Sequence, residues 1–344
     1  MSNAVIDCFC GAGGLSLGLK AAGLDVRWAF DASEPAIETY NLNVGNHGVC
    51  KKAEDITLSG VLRDLGIKKG ECFLVAGGPP CQGFSRQRRG EDVDPRNDMV
   101  HWFAEFVVKV RPRYFLMENV PALRGPRGGV HLRAIAAKTA EAGYILHDTI
   151  LNAADYGVPQ FRKRFFLVGE LADGLAKFEF PKPTHTSSSY ATVRDAIGGL
   201  PDPETDDSKA ALYPNHEAGN VSELNRLRLS HVPPGGGREY IPDALKLDCH
   251  RVSVEVAGHR NVYGRLPWDK PANTITTKCN SFTRGMFGHP RANRNITMRE
   301  AARLQGFPDD FVFLGNRVDV AHQVGNAVPP PLAAALGRAL LQAR

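Results

Sequence analysis

The sequence predicts an α/β protein with an open, mostly parallel sheet, helices on its faces, and a smaller irregular domain placed before the C-terminal stretch. Three observations predict it. Up to about residue 170, short apolar runs ending in glycine or an acidic residue alternate with helical segments, the pattern of βαβ units. Beyond about residue 181 the alternation stops, and stretches such as PKPTHTSSS, PDPETDDS and PPGGGR give a texture of turns. Near Thr297 apolar periodicity returns and runs to the last helix.

Taken in order, strands are expected at residues 5–9, 26–30, 72–76, 114–117, 145–151 and 164–168, each a short run of apolar, β-branched or aromatic residues. Helices are expected at 15–22, 36–42, 100–110 and 132–141, with Ser33 and Pro35 supplying start chemistry for the second. A helix at 298–304 follows the irregular stretch, and a final helix carries Leu332, Leu336 and Leu340 on one face. The last 45 or so residues are expected to pack back onto the first domain. Residues 1–185 with 296–344 therefore form one discontinuous domain, and 186–295 a second. The sequence contains no internal repeat.

A chain of 344 residues has room for one large domain and one smaller one. Its 43% hydrophobic and 23% charged residues exclude wholesale disorder, collagen and coiled coil. No apolar run approaches the roughly 18 residues of a membrane span, and the N-terminus enters a strand-like segment at once, so no membrane segment, signal or transit peptide is expected. The net charge of +5 permits a polyanionic partner without requiring one. Seven scattered cysteines with no C-x-x-C pair suit reduced thiols in a cytosol, and no metal site is expected.

Three segments carry chemistry. In DCFCGAGG, residues 7–14, a strand ends and a helix begins, so its glycines let a nucleotide-like ligand approach backbone amides. The stretch fails the G-x-G-x-x-G test of a dinucleotide site because position 16 is Ser. Asp31, at the end of the next strand, can accept both hydroxyls of a ribose. Asp55 can accept from an adenine amino group. In GGPPCQGFS, residues 77–85, prolines and glycines forbid helix and hold one thiol, Cys81, at the edge of an apolar strand. Arg86, Arg88 and Arg89 bring the positive charge that a thiolate needs. In YFLMENV, residues 114–120, Glu118 ends a neighbouring strand, where partial burial would let it donate a proton.

These stretches, together with QFRKR, REAARLQGFP and QVGNAV, resemble the ordered motifs of DNA (cytosine-5)-methyltransferases of the bacterial restriction-modification type, over residues 7–328. The resemblance implies a Rossmann-like S-adenosylmethionine-dependent methyltransferase sheet, with 186–295 as the target recognition domain. It implies methyl transfer to C5 of a flipped-out cytosine in a specific double-stranded sequence, with S-adenosylhomocysteine as the other product. Cys81 matches the nucleophile that adds to C6, and Glu118 the residue that contacts N3. Of the QFRKR arginines, Arg162 matches the contact to the cytosine O2 and Arg164 the support of the site. Phe9, Gly11, Gly13, Asp31, Asp55, Pro80, Met99 and Asn326 match positions around the cofactor. The segment 85–96 is expected to close over DNA from the minor-groove side.

DNA contacts are expected from Gln82, Ser85, Arg86, Arg88, Arg238, Arg265, Lys278 and Arg284, with Arg260, Asn261 and Asn280 also chemically able. The compact chain favours a bacterial-type modification enzyme, acting alone or beside a cognate restriction endonuclease; a monomer is the default expectation, and the expected location is the cytoplasm of a bacterium, at the nucleoid, with the gene bacterial or phage-encoded. Two alternatives remain open: a tRNA cytosine methyltransferase, though residues 279–283 read CNSFT rather than carrying the C-F-T tripeptide of that branch, and a non-catalytic DNA-binding paralogue.

Overall fold

The structure, a computed structural model, describes residues 3–80, 98–126, 128–172, 178–248, 251 and 261–343. Cys81, Gln82, Ser85, Arg86, Arg88 and Arg260 lie outside the described residues, as does the expected closing segment 85–96. In chain order the regular elements are β1 (Ala4–Cys8), α1 (Gly14–Ala21), β2 (Asp25–Asp31), α2 (Glu34–Asn43), β3 (Gly48–Cys50), α3 (Leu58–Leu65), β4 (Leu74–Gly77), α4 (Asp98–Val110), β5 (Tyr114–Asn119), α5 (Gly129–Glu141), β6 (Tyr144–Asn152) and β7 (Lys163–Leu171). They continue with α6 (Val193–Ile197), α7 (Asp207–Ala210), α8 (Glu223–Ser230), α9 (Met298–Leu304), α10 (Arg317–Asn326) and α11 (Pro330–Gln342). Two compact units result: Met1–Tyr156 with Lys163–Thr184 and Val328–Arg344, and Gly157–Arg162 with His185–Ala327.

The first unit is built on a seven-stranded sheet in the order β3-β2-β1-β4-β5-β7-β6. β1 to β5 run parallel, while β7 is antiparallel to both β5 and β6. Every residue of β1, β4 and β5 is buried, which is why these strands read as continuous apolar runs. Helix α4 adds Phe103, Phe106 and Val107 to the core beneath them. On α1, Gly18 admits the backbone of α11, since an added Cβ would lie 2.3 Å from the Pro330 carbonyl. Tyr114 Oη donates to the Ala343 carbonyl at 2.7 Å and secures the end of α11 on the same unit.

In the first unit two elements, β3 and α3, fall outside the expected set, and in the second so do α6, α7, α8 and α10. β3 spans three residues and is not fully buried, too short to show a period. α3 had legible punctuation: Thr57 accepts from the Gly60 N–H at its start, and Gly66, at φ 64°, stops it.

Residues 328–344 cluster with the sheet unit, whereas residues 296–327, expected in the same domain, cluster with the second unit. Arg294 explains why. Its guanidinium is 1% exposed, donates to both oxygens of Glu300 at 2.9 and 2.8 Å, and reaches Asp202 at 3.1 Å. Burial alone would raise the Glu300 pKa; the Arg294 hydrogen bonds and charge, the His289 charge and the Thr297 N–H together outweigh it and hold the carboxyl below its ordinary range. Thr297 and Glu300 form a capping box at the start of α9, and Thr297 Oγ1 also pairs with His216 Nδ1 at 2.8 Å. Residues 157–162 join this unit too, as Gln160 Nε2 donates to the Leu304 carbonyl at 3.0 Å.

Arg294→Ala would leave the Glu300 carboxylate buried without its cation. A loss of about 3–5 kcal/mol is expected in chemical denaturation followed by circular dichroism, the usual consequence of removing one member of a buried pair.

Candidate active site

At the carboxyl end of β1 the backbone turns sharply, with Phe9 (φ 58°), Gly11 (φ 54°) and Gly13 (φ 94°) all left-handed. Glycine is required at position 13 on two counts, conformation and space: an added Cβ would lie 2.7 Å from Val44 and 2.8 Å from the Tyr40 ring. Around Gly11 no atom of the described residues lies within 4 Å of an added Cβ. Asp31, ending β2, takes the Gly11 N–H on Oδ2 and the Ser33 N–H on Oδ1, each at 2.9 Å. Burial pushes its carboxyl above the ordinary range. Helix α1 starts with neither a capping side chain nor an acidic residue in its first turn.

Beside this turn stands an aromatic wall. Phe9 meets Phe30 at 5.1 Å and Trp102 at 5.5 Å between centroids, and Phe30 meets Trp102 at 5.4 Å. Met99, one turn before Trp102 on α4, packs against the same core. Trp102 escaped the sequence reading, although its spacing from Met99 placed both on one helix face. A carboxylate suited to a ribose, an apolar wall suited to a purine and an open glycine backbone fit a nucleoside cofactor. The structure thus gathers Phe9, Gly11, Gly13, Asp31 and Met99. It places Asp55 exposed at the end of a 3-10 turn, Ala53–Asp55, and Asn326 exposed at the end of α10 in the second unit.

Past β4, the chain runs through Gly78 and Pro79 to Pro80. Asn119 Nδ2 donates to the Pro79 carbonyl at 3.1 Å and ties this stretch to the end of β5. Asn119 was another residue given no role on sequence grounds. Glu118 lies beside it, 9% exposed, its Oε2 3.3 Å from where a Cβ on Gly78 would stand. Its Oε1 meets Arg164 Nε at 3.0 Å. Antiparallel pairing explains this contact. Glu118 registers with Phe166, so the start of β7, which carries Arg164, arrives at the carboxyl end of β5. A parallel β7 would bring its other end there.

Arg164, the second arginine of QFRKR, is therefore beside Glu118. Arg162 is 1% exposed in the second unit, where it donates to the Ile275 and Gly325 carbonyls at 2.9 Å each.

The sequence matches the C-5 cytosine-specific DNA methylase family over residues 3–342. The chain belongs to that family. It is 38% identical to the type II methyltransferase M1.HphI of Haemophilus parahaemolyticus, covering 99% of this chain and 87% of that one. With the type II methylase M.HgiDII of Herpetosiphon aurantiacus it shares 33% identity over 99% of this chain and 94% of the other. A solved structure described as a DNA modification methyltransferase encoded within an E. coli prophage superposes with a TM-score of 0.78 at 25% identity, each chain 99% covered. The protein is a DNA (cytosine-5)-methyltransferase with an α/β, Rossmann-like methyltransferase sheet, and its family draws the methyl group from S-adenosylmethionine.

In the second unit of the methylase, two expected DNA contacts need correction. Arg265 is 3% exposed, and Nε, Nη1 and Nη2 all donate within the unit: to the Leu229, Val232, His289 and Ala292 carbonyls, and to Asn293 Oδ1. Burial lowers its pKa to about 10. A guanidinium spent on five acceptors has no fork to offer a base edge. Arg238, 4% exposed, is likewise turned inward. Lys278 and Arg284 are exposed and keep their eligibility.

These arginines should separate in a stability measurement. Arg265→Ala is expected to lose at least about 3 kcal/mol in denaturant, because several buried carbonyls lose their donor. Arg284→Ala should stay within about 0.5 kcal/mol of the parent.

Proposed function

We propose that the methylase acts on a cytosine extruded from double-stranded DNA, with Cys81 as the nucleophile and Glu118 and Arg164 as its partners at the base. A side chain cannot reach C6 within the stack, so the base must leave it, at a cost of a few kcal/mol. The Cys81 thiolate adds to C6 while Glu118 supports N3 with a proton, and C5 becomes electron-rich. S-adenosylmethionine, when bound, supplies a sulfonium-activated methyl group. Loss of the C5 proton and departure of the thiolate then restore the ring, leaving 5-methylcytosine and S-adenosylhomocysteine.

The observation that carries this reading is the Glu118 carboxylate held between Arg164 and the Gly78 backbone, in the stretch that leads directly to position 81. Arg164 orients that carboxylate and is the arginine we assign to the cytosine O2; Arg162 is assigned to scaffolding. Phe9, Gly11, Gly13, Asp31 and Met99 would hold the cofactor, with Asp31 on its ribose and the Phe9 and Trp102 rings against its purine. Pro80, Asp55 and Asn326 are proposed as further contacts.

The second unit, centred on 186–295, is proposed to read the DNA sequence, with Lys278 and Arg284 as its accessible cations. The type II names of the relatives support a modification enzyme paired with a restriction endonuclease. Among the described residues no helix is long and apolar enough to cross a membrane. A cytoplasmic monomer completes the proposal.

DNA carrying 5-fluorocytosine at the target should trap a covalent adduct that survives denaturing electrophoresis, since fluorine cannot leave as a proton. Cys81→Ser should form no adduct yet still bind S-adenosylmethionine in calorimetry. An adduct formed by the serine variant would move the nucleophile elsewhere. Arg164→Ala is expected to lower kcat by about a hundredfold or more in single-turnover assays. Bisulfite sequencing of treated plasmid reports the recognised site.

A further inference from the structure

Behind the glycine turn lies a chain of polar side chains that the methyl-transfer chemistry does not use. Asp7, on β1, is 1% exposed. Ser16 Oγ, on α1, donates to Asp7 Oδ2 at 2.6 Å, and Tyr40 Oη, on α2, donates to Ser16 Oγ at 3.1 Å. His47 Nε2, next to β3, lies 3.0 Å from Tyr40 Oη. The chain therefore starts at a partly exposed imidazole and ends at a buried carboxyl whose Oδ1 has no hydrogen-bond partner among the described residues.

Each hydroxyl owns one hydrogen, so the four groups admit two orderings. With Asp7 ionised, every donor points inward: His47 Nε2–H to Tyr40, Tyr40 to Ser16, Ser16 to Asp7. With Asp7 neutral the order can reverse, and His47 becomes the acceptor. The same tyrosine packs its ring on Gly13, and the same serine sits in the first turn of α1, so the chain is joined to the backbone of the cofactor turn at two points.

We propose that Asp7, connected to the surface through Ser16, Tyr40 and His47, is a specificity-determining residue that sets the preference for the sulfonium cofactor over its uncharged-sulfur product. The proposal rests on the reading that the glycine turn binds S-adenosylmethionine. The two ligands differ in one methyl group and one positive charge. A carboxylate in a poorly solvated position beneath the turn attracts the charged ligand and leaves the other nearly unaffected.

The surroundings allow this carboxyl to change charge near neutrality. Burial raises its pKa from 3.8 to about 7, against the lowering effect of the Ser16 hydrogen bond. The groups that face it are Asp31 of β2, Tyr40 of α2, and the thiols of Cys8 and Cys10. Among the described residues none is a cation, and burial pushes both thiols well up, so they stay neutral. His47 faces Lys20 of α1 and Asp25 of β2. The sign follows from linkage: the folded protein holds the Asp7 proton up to about pH 7, and a cationic ligand binds better once that proton has left.

The test is calorimetric titration of the full chain with S-adenosylmethionine and with S-adenosylhomocysteine from pH 6 to 8. The wild-type affinity ratio is expected to move toward the sulfonium ligand by roughly threefold or more as pH rises. Asp7→Asn should flatten it. Tyr40→Phe keeps the ring against Gly13 but removes the donor to Ser16, so the midpoint should move to higher pH. A wild-type ratio constant within twofold, or an unmoved midpoint in Tyr40→Phe, overturns the inference. Binding of neither ligand, or binding indifferent to Asp31→Ala, overturns the cofactor assignment and this inference with it. Binding of both that weakens in Asp31→Ala but shows a flat ratio overturns this inference alone.

Discussion

The catalytic half of this methylase depends on one constraint: β7 runs against its neighbours. An all-parallel sheet would deliver only strand ends to its carboxyl edge, and with them the residues that follow Glu118 and Asn119. Reversing one strand brings the start of another segment to the same edge, so that a guanidinium from Arg164 meets a carboxylate from Glu118 at 3.0 Å. Asn119 does the complementary work by holding the Pro79 carbonyl. At this one strand end Arg164 thus holds the Glu118 carboxylate and Asn119 ties down Pro79.

The cofactor turn follows a different logic. Its shape comes from left-handed residues at 9, 11 and 13, and its rigidity from what packs behind it: Tyr40 and Val44 fill the space that a side chain at Gly13 would need. Asp31 accepts from the Gly11 and Ser33 backbone amides, and among the described residues no cation is recorded beside it. Asp7 sits in the same low-dielectric region with a single side-chain donor. Burial raises the pKa of both carboxyls beneath this one turn, which is costly to their charged forms.

In the second unit, arginine serves chiefly as glue. Regular elements are short there, so many backbone carbonyls have no helix or strand partner, and a buried guanidinium with five N–H donors can satisfy several at once. Arg265 and Arg299 do this with carbonyls, while Arg294 does it with Glu300, Asp202 and the Asn295 carbonyl. A high arginine content in an irregular domain therefore says little about DNA contact until exposure is known.

By itself, the sequence determined six of the seven strands of the sheet domain and the glycine turn that carries Asp31, and it marked the thiol segment and the acidic strand end, because each is written in a contiguous stretch with its own period or punctuation. The resemblance of its ordered motifs named the chemistry. Three matters were left to tertiary structure: which QFRKR arginine meets Glu118, which arginines of the irregular unit are exposed, and where residues 296–327 belong. The reason is common to all three. A strand's direction, a guanidinium's acceptors and a helix's neighbours are properties of residues far apart in the chain. Arg162 and Arg164 are the same residue type two positions apart, and only pairing decides which carboxyl or carbonyl each one meets.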